Sequence, residues 1–248
     1  MRAVITGASA GIGRDMARLL SARGYKLTLI ARRQDRLLEL ADELPDCQII
    51  TADLSKPDAC RQVYRLAHGA DVEILINNAG FGLFGQFAET DLDTELEMIH
   101  TNIIAVHMLT KLFLRDFRTR GNGYILNVAS SAGFMAGPLM ATYYATKNYV
   151  LRLTQAIREE LRHEGSGIQV AALCPGPVHT EFNAVAGVQF AIGGISSEMA
   201  AKCGIDGLLA GKGVIVPGAG MRFALAARHL VPESVLTRIA YHIQKRKG

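Results

Sequence analysis

The sequence predicts an α/β fold in which helices cover both faces of a parallel sheet, and three observations support this. Short apolar stretches alternate with segments that carry apolar residues at helical spacing. Most of the apolar stretches end in glycine or small polar residues, as expected at the carboxyl edge of a doubly wound sheet. Hydrophobic residues make up 49% of the 248 positions, which is enough for a substantial core. A single domain spanning residues 1–248 is therefore predicted.

Composition and charge narrow the possible classes of function. The formal net charge is only +4 and basic residues are interleaved with acidic ones, so a nucleic-acid partner is disfavoured. The four cysteines lie far apart with no histidine at ligand spacing, which indicates reduced thiols and no metal site. No apolar run approaches the roughly 20 residues of a membrane span, and the chain starts directly in an apolar strand. A cytoplasmic protein without a leader is therefore expected.

The first strand, Ala3 to Thr6, runs into a glycine-rich turn and then a helix, and this order predicts a nucleotide site. Glycine lets the backbone approach a ligand without a Cβ atom, and the amide groups at a helix N-terminus can bind a pyrophosphate. The alternative is a tight loop without a ligand, which is less favoured at the start of a βαβ unit. The turn consists of Gly7, Ala8, Ser9, Ala10, Gly11, Ile12 and Gly13.

The second strand, Leu27 to Ala31, is followed by Arg32 and Arg33. At this place a dinucleotide fold meets the adenosine ribose, and an acidic residue is typical of NAD sites. A guanidinium can instead bind the 2′-phosphate of NADP(H) through charge-assisted hydrogen bonds. The two arginines therefore favour NADP(H), and the alternative is a solvated pair at a helix start.

The next two strands also end in polar or small residues. Asp53 follows the third strand, where it can bond an adenine amino group or cap the next helix. The fourth strand ends in Asn77, Asn78, Ala79 and Gly80. The predicted elements in this part of the chain are helices at 37–44 and 57–68 and strands at 48–51 and 74–76.

A long helix is predicted over residues 92–118, with Asn102 in its interior. Asparagine is a poor helix former because its side chain competes for backbone hydrogen bonds. Asn102 therefore indicates a local kink or a buried polar role, unless it is a tolerated surface residue. The fifth strand, Tyr124 to Val128, follows and leads to Ser130 and Ser131.

The next helix, from about Tyr143 to His163, places Tyr143 and Lys147 on one face, because residues at i and i+4 are neighbours. A cation beside a phenol favours the phenolate. Lys147 is therefore expected to lower the pKa of Tyr143 toward neutrality and to make the phenol a general acid/base. Many helices carry such a pair without a function, so the spacing alone is weak evidence.

The rest of the chain is expected to contact the substrate or other subunits. Residues at about 181–200 show little periodicity and are interpreted as a mobile substrate loop, and residues 81–87 and 132–141 are also expected to contact substrate. The tail, at about 221–247, is predicted to form two amphipathic helices divided by Pro232. Packing on the protein itself or on a second subunit is favoured over peripheral membrane contact. The other predicted elements are strands at 168–173 and 214–216 and a helix at 198–209.

Five motifs together resemble those of the short-chain dehydrogenase/reductase family, in its compact single-domain branch. They occur in order between residues 1 and 180 and consist of Thr6 to Gly13, Asn77 to Gly80, Ser130, Tyr143-x-x-x-Lys147 and Pro175-Gly176. The resemblance implies a Rossmann fold with a seven-stranded parallel sheet. It also implies a small-molecule carbonyl or alcohol substrate and a homodimer or homotetramer.

The resemblance further implies a catalytic tetrad of Asn102, Ser130, Tyr143 and Lys147. Tyr143 would exchange the proton of the substrate oxygen, and Ser130 would hydrogen-bond that oxygen. Lys147 would lower the pKa of Tyr143 and bond the nicotinamide ribose, while Asn102 would hold a water that links Lys147 to solvent. Ser130 is preferred over Ser131 because it lies 13 residues before Tyr143, the separation that the family shows. The implied cofactor contacts are Gly7, Ser9, Ala10, Gly11, Ile12, Gly13, Arg32, Arg33, Asp53, Leu54, Asn78, Ala79, Gly80, Tyr143, Lys147, Pro175, Gly176, Val178 and Thr180.

The predicted function is an oxidoreductase that transfers hydride between NADP(H) and a carbonyl or secondary alcohol of a small to medium, largely apolar substrate. NAD(H) is the alternative cofactor. NADP(H) binders of the family often carry a basic residue just before the second glycine of the first motif, where this chain has Ala10. The preference for NADP(H) therefore depends on Arg32 and Arg33. The alternative function is a non-catalytic NADP(H)-binding sensor or scaffold, which a missing tetrad residue would indicate, and none is missing.

Overall fold

The computed structural model describes residues 1–182, 186–187 and 194–245, and its centre is a seven-stranded parallel sheet. The strands of the chain are β1 (Arg2–Thr6), β2 (Lys26–Ala31), β3 (Cys47–Thr51), β4 (Val72–Asn77), β5 (Tyr124–Val128), β6 (Gln169–Leu173), β7 (Val178–His179), β8 (Ile195–Ser196) and β9 (Val214–Ile215). The central sheet has the order β3-β2-β1-β4-β5-β6-β9. From β1 the strand order runs toward one edge of the sheet through β2 and β3, and from β4 it runs toward the other edge. Doubly wound sheets bind ligands at such a switch point, here between β1 and β4. The predicted fold class is confirmed.

Helices cover both faces of this sheet. They are α1 (Gly11–Ala22), α2 (Gln34–Glu43), α3 (Pro57–Ala67), α4 (Leu92–Ile99), α5 (Val106–Arg120), α6 (Ala141–His163), α7 (Ser197–Leu209), α8 (Ala219–Ala227) and α9 (Glu233–Lys245). Most bounds agree with the prediction to within two residues. The largest difference at a helix start is in α2, which begins at Gln34 rather than Leu37, because its first turn is polar and has no apolar periodicity.

Successive side chains of the strands point to opposite faces of the sheet and pack into two separate hydrophobic cores. In β1, Ala3 and Ile5 belong to the core under α1 and α7, whereas Val4 belongs to the core on the opposite face. Phe113 and Phe117 of α5 are fully buried in that second core. Complete burial of a side chain of this size contributes about 1.5–3 kcal/mol. The two cores hold the carboxyl ends of the strands in fixed positions along one edge.

The predicted continuous helix at 92–118 is interrupted, because His100–Ala105 between α4 and α5 is π-helical. Asn102 lies in this segment and is 0% exposed. The predicted local irregularity and buried polar role are confirmed, and the surface interpretation is wrong. The physical reason is that the carboxamide bonds groups outside its own helix, which favours a wider turn there.

A small second sheet holds the two ends of the predicted substrate loop together. Its strands β7 and β8 pair in parallel, with Val178 opposite Ile195 and His179 opposite Ser196. The strand β8 was not expected within the loop predicted at about 181–200, since two-residue strands have no detectable periodicity. The start of α7 at Ser197 agrees with the helix predicted at 198–209 to within one residue. Residues 183–185 and 188–193 of that loop lie outside the described residues.

The tail forms two helices separated near Pro232, as predicted, although residues 246–247 lie outside the described ranges. It docks on the loop after β5, where an Arg228 guanidinium N–H donates to the Phe134 carbonyl at 2.7 Å. The same guanidinium lies 5.1 Å from the centroid of the Phe134 ring. Ala240 of α9 is buried. Every helix within the described ranges is too short or too polar to cross a membrane.

Candidate active site

Nearly all predicted site residues line one cleft at the carboxyl edge of the sheet. Two of them, Gly13 and Asn102, are not in its wall and lie directly behind it. The predicted residues that line the cleft are Gly7, Ser9, Ala10, Gly11, Ile12, Arg32, Arg33, Asp53, Leu54, Asn78, Ala79, Gly80, Ser130, Tyr143, Lys147, Pro175, Gly176, Val178 and Thr180.

The glycine-rich turn is tied to the end of β4. Gly7 has a φ of +66°, and a Cβ atom added there would lie 2.7 Å from Asn78 Nδ2. The Asn78 amide group donates to the carbonyls of Thr6 at 3.0 Å and Gly7 at 3.1 Å. In return, the Thr6 hydroxyl accepts the backbone N–H groups of Asn78 at 3.0 Å and Ala79 at 3.1 Å. This reciprocal bonding keeps the turn open toward the cleft.

The N-terminus of α1 is available to an anion. Its N-cap residue is Ala10, which makes no side-chain capping bond, and the first turn contains no acidic residue. The first backbone N–H groups of a helix have no partner within the helix, and the helix dipole favours negative charge there. Gly11, with a φ of +52°, lies so close to Thr180 that a Cβ atom would be 2.9 Å from its methyl group. The residues present fit a dinucleotide pyrophosphate.

Two arginines and a glutamate lie where the cleft passes the end of β2. Arg33 donates to the Glu181 carboxylate at 2.8 Å and to the Ser9 hydroxyl at 3.3 Å, and Arg36 also forms an ion pair with Glu181. The hydrogen bonds from Arg36 and Arg33 hold the pKa of Glu181 at about 2. Sequence reasoning missed Glu181 and Arg36, because nothing in the sequence links a residue after β7 to the start of α2.

Asp53 behaves mainly as a turn residue. Its carboxylate accepts the backbone N–H of Ser55 at 3.0 Å. Burial raises its pKa, but the bonds from Ser55 and the charge of Arg32 outweigh this, so the pKa lies below its usual value. The side chain still lines the cleft beside Leu54.

At the other end of the cleft, α6 brings Tyr143 and Lys147 together below β5. They are 8% and 5% exposed, respectively. The Lys147 ammonium donates to the Val128 carbonyl at 2.9 Å and lies 5.9 Å from the centroid of the Tyr143 ring. Ser130 also faces the cleft, and its hydroxyl oxygen accepts the Ala132 N–H at 3.1 Å. The Ser130 hydroxyl also interacts with the Tyr143 phenol, so the two hydroxyl groups lie together at this point of the cleft.

The expected lowering of the Tyr143 pKa toward neutrality is wrong for this geometry. Burial raises the pKa of Tyr143 to about 12, and the interaction with Ser130 lowers it only in part. Burial also lowers the pKa of Lys147 to about 8. The reason is that desolvation disfavours both charged forms and the ammonium bonds Val128 rather than the phenol. At neutral pH, Tyr143 is thus a protonated donor beside a cationic lysine.

Asn102 connects the loop after β4 to α6. Its carboxamide oxygen accepts the Phe81 N–H at 3.1 Å, and its amide group donates to the Phe81 carbonyl at 2.9 Å and to Thr146 Oγ1 at 3.0 Å. The Thr146 hydroxyl then donates to the Tyr143 carbonyl at 2.7 Å. In this arrangement Asn102 positions the turn of α6 that carries Tyr143.

The wall beyond Tyr143 is largely apolar. The Phe182 ring lies 5.4 Å from the Tyr143 ring, and Phe81 and Met140 belong to the same apolar cluster. This matches the regions expected to contact substrate. Gln244 of α9 also lines the cleft, although the prediction assigned the tail to packing or subunit contact. Its position follows only from the docking of the tail. No group of three or more metal-binding side chains occurs within the described ranges.

Comparisons with known proteins agree with this geometry. A family model described as short chain dehydrogenase matches residues 1–189. An uncharacterized oxidoreductase of Staphylococcus saprophyticus is 37% identical over 182 residues, which cover 72% of this chain and 74% of that protein. The very-long-chain 3-oxoacyl-CoA reductase of Rattus norvegicus is 32% identical over 178 residues, or 67% of this chain and 56% of the reductase. The chain thus spans little more than half the length of that reductase.

A solved structure closely resembles the fold. It is a short-chain dehydrogenase from Sphingobium yanoikuyae in complex with NADPH, with 32% sequence identity and a TM-score of 0.83. The similarity covers 93% of this chain and 94% of that one. Together with the family match over residues 1–189, this shows that the chain belongs to the short-chain dehydrogenase family of oxidoreductases.

Proposed function

We propose that the protein transfers hydride between NADP(H) and a carbonyl or secondary alcohol of a small to medium, largely apolar substrate. The observation that carries the proposal is one cleft that joins the glycine-rich turn at the N-terminus of α1 to a buried tyrosine and lysine and to Ser130. Bound in this cleft, NADP(H) would supply or accept the hydride. The contacts proposed to hold it are the cleft-lining residues given above, with Gly13 supporting them from behind.

The roles of the side chains follow from their protonation. With a pKa of about 12, the Tyr143 phenol is protonated at neutral pH and can donate its proton to a carbonyl oxygen during reduction. Ser130, whose hydroxyl lies beside the phenol, donates a hydrogen bond to the same oxygen and stabilises the charge that develops there. With a pKa of about 8, Lys147 keeps its positive charge at neutral pH and favours the tyrosinate left after proton transfer.

The choice of NADP(H) over NAD(H) is supported by positive charge at the ribose end of the cleft. Arg32 and Arg33 line it there, and a guanidinium binds phosphate through two parallel hydrogen bonds. The NADPH complex of the Sphingobium yanoikuyae relative supports the same choice.

The proposed apolar substrate follows from the lining of the opposite end. Phe81, Met140 and Phe182 supply its walls and pack with Tyr143 in one apolar cluster. A carbonyl group as the reacting function is consistent with the name of the rat 3-oxoacyl-CoA reductase.

We further propose a cytoplasmic homodimer or homotetramer. Several large apolar side chains are exposed on the single chain, including Phe87, Leu92 and Leu96 on and beside α4. Burial of such residues between copies would remove apolar surface from water.

The proposed function is tested by mixing the purified protein with NADPH or NADH and a panel of aldehydes and ketones. We expect NADPH-dependent loss of reduced-nicotinamide absorbance. The loss should be faster with apolar ketones than with their carboxylated analogues, because the described residues of the apolar wall include no cation to bind a carboxylate. If the protein binds NADPH but neither reduces any carbonyl nor oxidises any alcohol with NADP⁺, the result would instead support the non-catalytic sensor.

The Glu181→Gln variant is expected to bind NADPH about three- to tenfold more tightly than the wild type, with little change for NADH. The Glu181 carboxylate occupies Arg33 and Arg36, so it competes with and repels a 2′-phosphate. Fluorescence titration of both cofactors at low and physiological salt measures the effect. Glu43→Gln is a matched control, since Glu43 forms an ion pair with Arg18 away from the cleft. Weaker NADPH binding, or equal changes for both cofactors, would contradict this role of Glu181.

A further inference from the structure

The last described turn of α9 brings a buried amide to the substrate end of the cleft. Gln244 is 2% exposed, and its amide group lies 2.6 Å from the Tyr144 hydroxyl. Both side chains line the cleft beside Tyr143, the residue before Tyr144 in α6. The rings of Tyr143 and Tyr144 are 6.1 Å apart at an angle of 79°. The hydrogen-bonded pair of Tyr144 and Gln244 therefore lies next to Tyr143, the proposed proton donor.

The hydrogen-bonding capacity of this pair is only half used. The Gln244 carboxamide oxygen is buried and has no hydrogen-bond partner among the described residues. The Tyr144 oxygen accepts the Gln244 amide, and no acceptor for the Tyr144 hydroxyl hydrogen is found in the same part of the chain. Buried polar groups without partners are costly, and native proteins normally satisfy them. A ligand in the cleft can supply the missing partners.

The pair requires the same ligand chemistry in either orientation of the amide. As placed, it presents an acceptor, the carboxamide oxygen, and a donor, the Tyr144 hydroxyl. If the amide is rotated by half a turn, Tyr144 donates to the oxygen, which leaves the Gln244 NH₂ as donor and a phenol lone pair as acceptor. At least one donor and one acceptor are free in both cases. A hydroxyl group, which donates and accepts, complements both, whereas a carboxylate only accepts.

The pair is held in place from both sides, so its position is a property of the docked tail. Ala240, one turn before Gln244, is buried on the same face of α9, and Arg228 anchors the preceding segment to Phe134. The Tyr144 ring packs so tightly on Gly137 that a Cβ atom there would lie 2.3 Å from the ring. Rigid placement is what a site needs in order to discriminate between ligands.

We propose that Tyr144 and Gln244 form a polar subsite beside the apolar wall of the pocket, and that the substrate carries, besides the reacting carbonyl or carbinol group, a hydroxyl group that binds there. The substrate class is thus a hydroxylated ketone, or the corresponding diol in the reverse direction. This rests on the proposed function for the reacting carbonyl. The subsite makes the C-terminal helix a determinant of specificity.

The test compares matched ketones that differ by one hydroxyl group. The probes are acetophenones with para-methyl, para-ethyl or para-propyl groups and their terminally hydroxylated counterparts. We expect the wild type to favour the hydroxylated member at one chain length by about tenfold in kcat/KM, since a site with buried polar groups rejects an analogue that leaves them unpaired. Gln244→Leu and Tyr144→Phe are each expected to bring this ratio close to one.

A second readout separates this proposal from the proposed function. Thermal shift in the presence of NADP⁺, which cannot reduce a ketone, ranks the affinities of the ketones without turnover. If no ketone is reduced, the proposed function fails, yet tighter binding of the hydroxylated member, lost in Gln244→Leu, still supports the subsite. Gln62→Leu makes the same chemical change at an exposed position of α3 and should leave both activity and ratio unchanged.

Three outcomes would overturn the subsite. In the first, the wild type shows no preference at any chain length, in kinetics or in binding. In the second, the ratio survives in folded Gln244→Leu and Tyr144→Phe proteins. In the third, kcat/KM in both variants falls by the same factor for the two ketones of a pair. That result would mean that Tyr144 and Gln244 only shape the pocket and do not recognise the hydroxyl group. If circular dichroism shows that Gln244→Leu does not fold, Tyr144→Phe decides, because it keeps Gln244 and the packing of the ring.

Discussion

Replacement of Tyr143 by Phe is expected to reduce kcat for carbonyl reduction by about 10²–10⁴-fold, the usual contribution of a positioned general acid. The phenol is buried beside Ser130, and its pKa of about 12 keeps the proton available over the whole neutral range. Without the phenol, Ser130 can still hydrogen-bond the substrate oxygen, but its aliphatic hydroxyl is a much weaker acid and cannot take over the proton transfer. Single-turnover measurements with saturating NADPH isolate this step from product release.

The matched control is Tyr149→Phe, on the same helix. Tyr149 is 38% exposed, and its hydroxyl bonds His107 at 2.7 Å on the outside of the protein. This variant loses an equivalent hydroxyl and is expected to retain wild-type turnover. Cofactor affinity should also be preserved in Tyr143→Phe to within a few-fold, as judged by fluorescence titration. A Tyr143→Phe protein that reduces ketones at the wild-type rate would remove Tyr143 from the proposed mechanism.

The second large effect is expected from Gly13→Ala. A Cβ atom at this position would lie 2.4 Å from both Asn78 Nδ2 and the Gly7 carbonyl oxygen, so the tie between the glycine turn and β4 must move. Overpacking of this kind costs about 1–3 kcal/mol, and we expect the free energy of unfolding to fall by that amount. Affinity for NADPH and NADH should fall together, by at least about tenfold. Urea denaturation and fluorescence titration measure the two effects.

Gly220→Ala provides the control for this substitution. Gly220 lies in α8, and an added Cβ atom would meet nothing within 4 Å. Alanine is the better helix former, so stability should stay the same or rise by up to about 1 kcal/mol. If Gly13→Ala binds both cofactors like the wild type while Gly220→Ala also behaves normally, the glycine turn is not the dinucleotide cradle.

Local sequence signals were enough for the central sheet and for most of the cleft. Each strand of the parallel sheet is a short apolar run, because both of its faces are buried. Most of these runs are followed by glycine or small polar residues, which are typical of the carboxyl edge of such a sheet. Gly7 and Gly11 illustrate this, since both adopt positive φ next to a predicted anion site. The spacing of Tyr143 and Lys147 is likewise a local property of one helix.

Properties that depend on distant parts of the chain required the tertiary structure. The pairing of Glu181 with Arg33 and Arg36 joins residues about 145 positions apart, and no local pattern encodes it. The same is true of Gln244, which reaches Tyr144 across 100 positions because the tail docks on the loop after β5. These contacts depend on how elements pack, which the order of residues in each element does not reveal.

The sequence by itself determined that this protein is a doubly wound α/β protein with a glycine-rich turn and a tyrosine, serine and lysine at one edge of its sheet. It did so because strand burial, glycine conformation and helix spacing act over a few residues. Only the tertiary structure decided the protonation states of Tyr143 and Lys147 and the position of Gln244 in the wall of the cleft. A pKa depends on the burial of the group, and the Tyr143 phenol, surrounded by apolar side chains, is raised to about 12 rather than lowered.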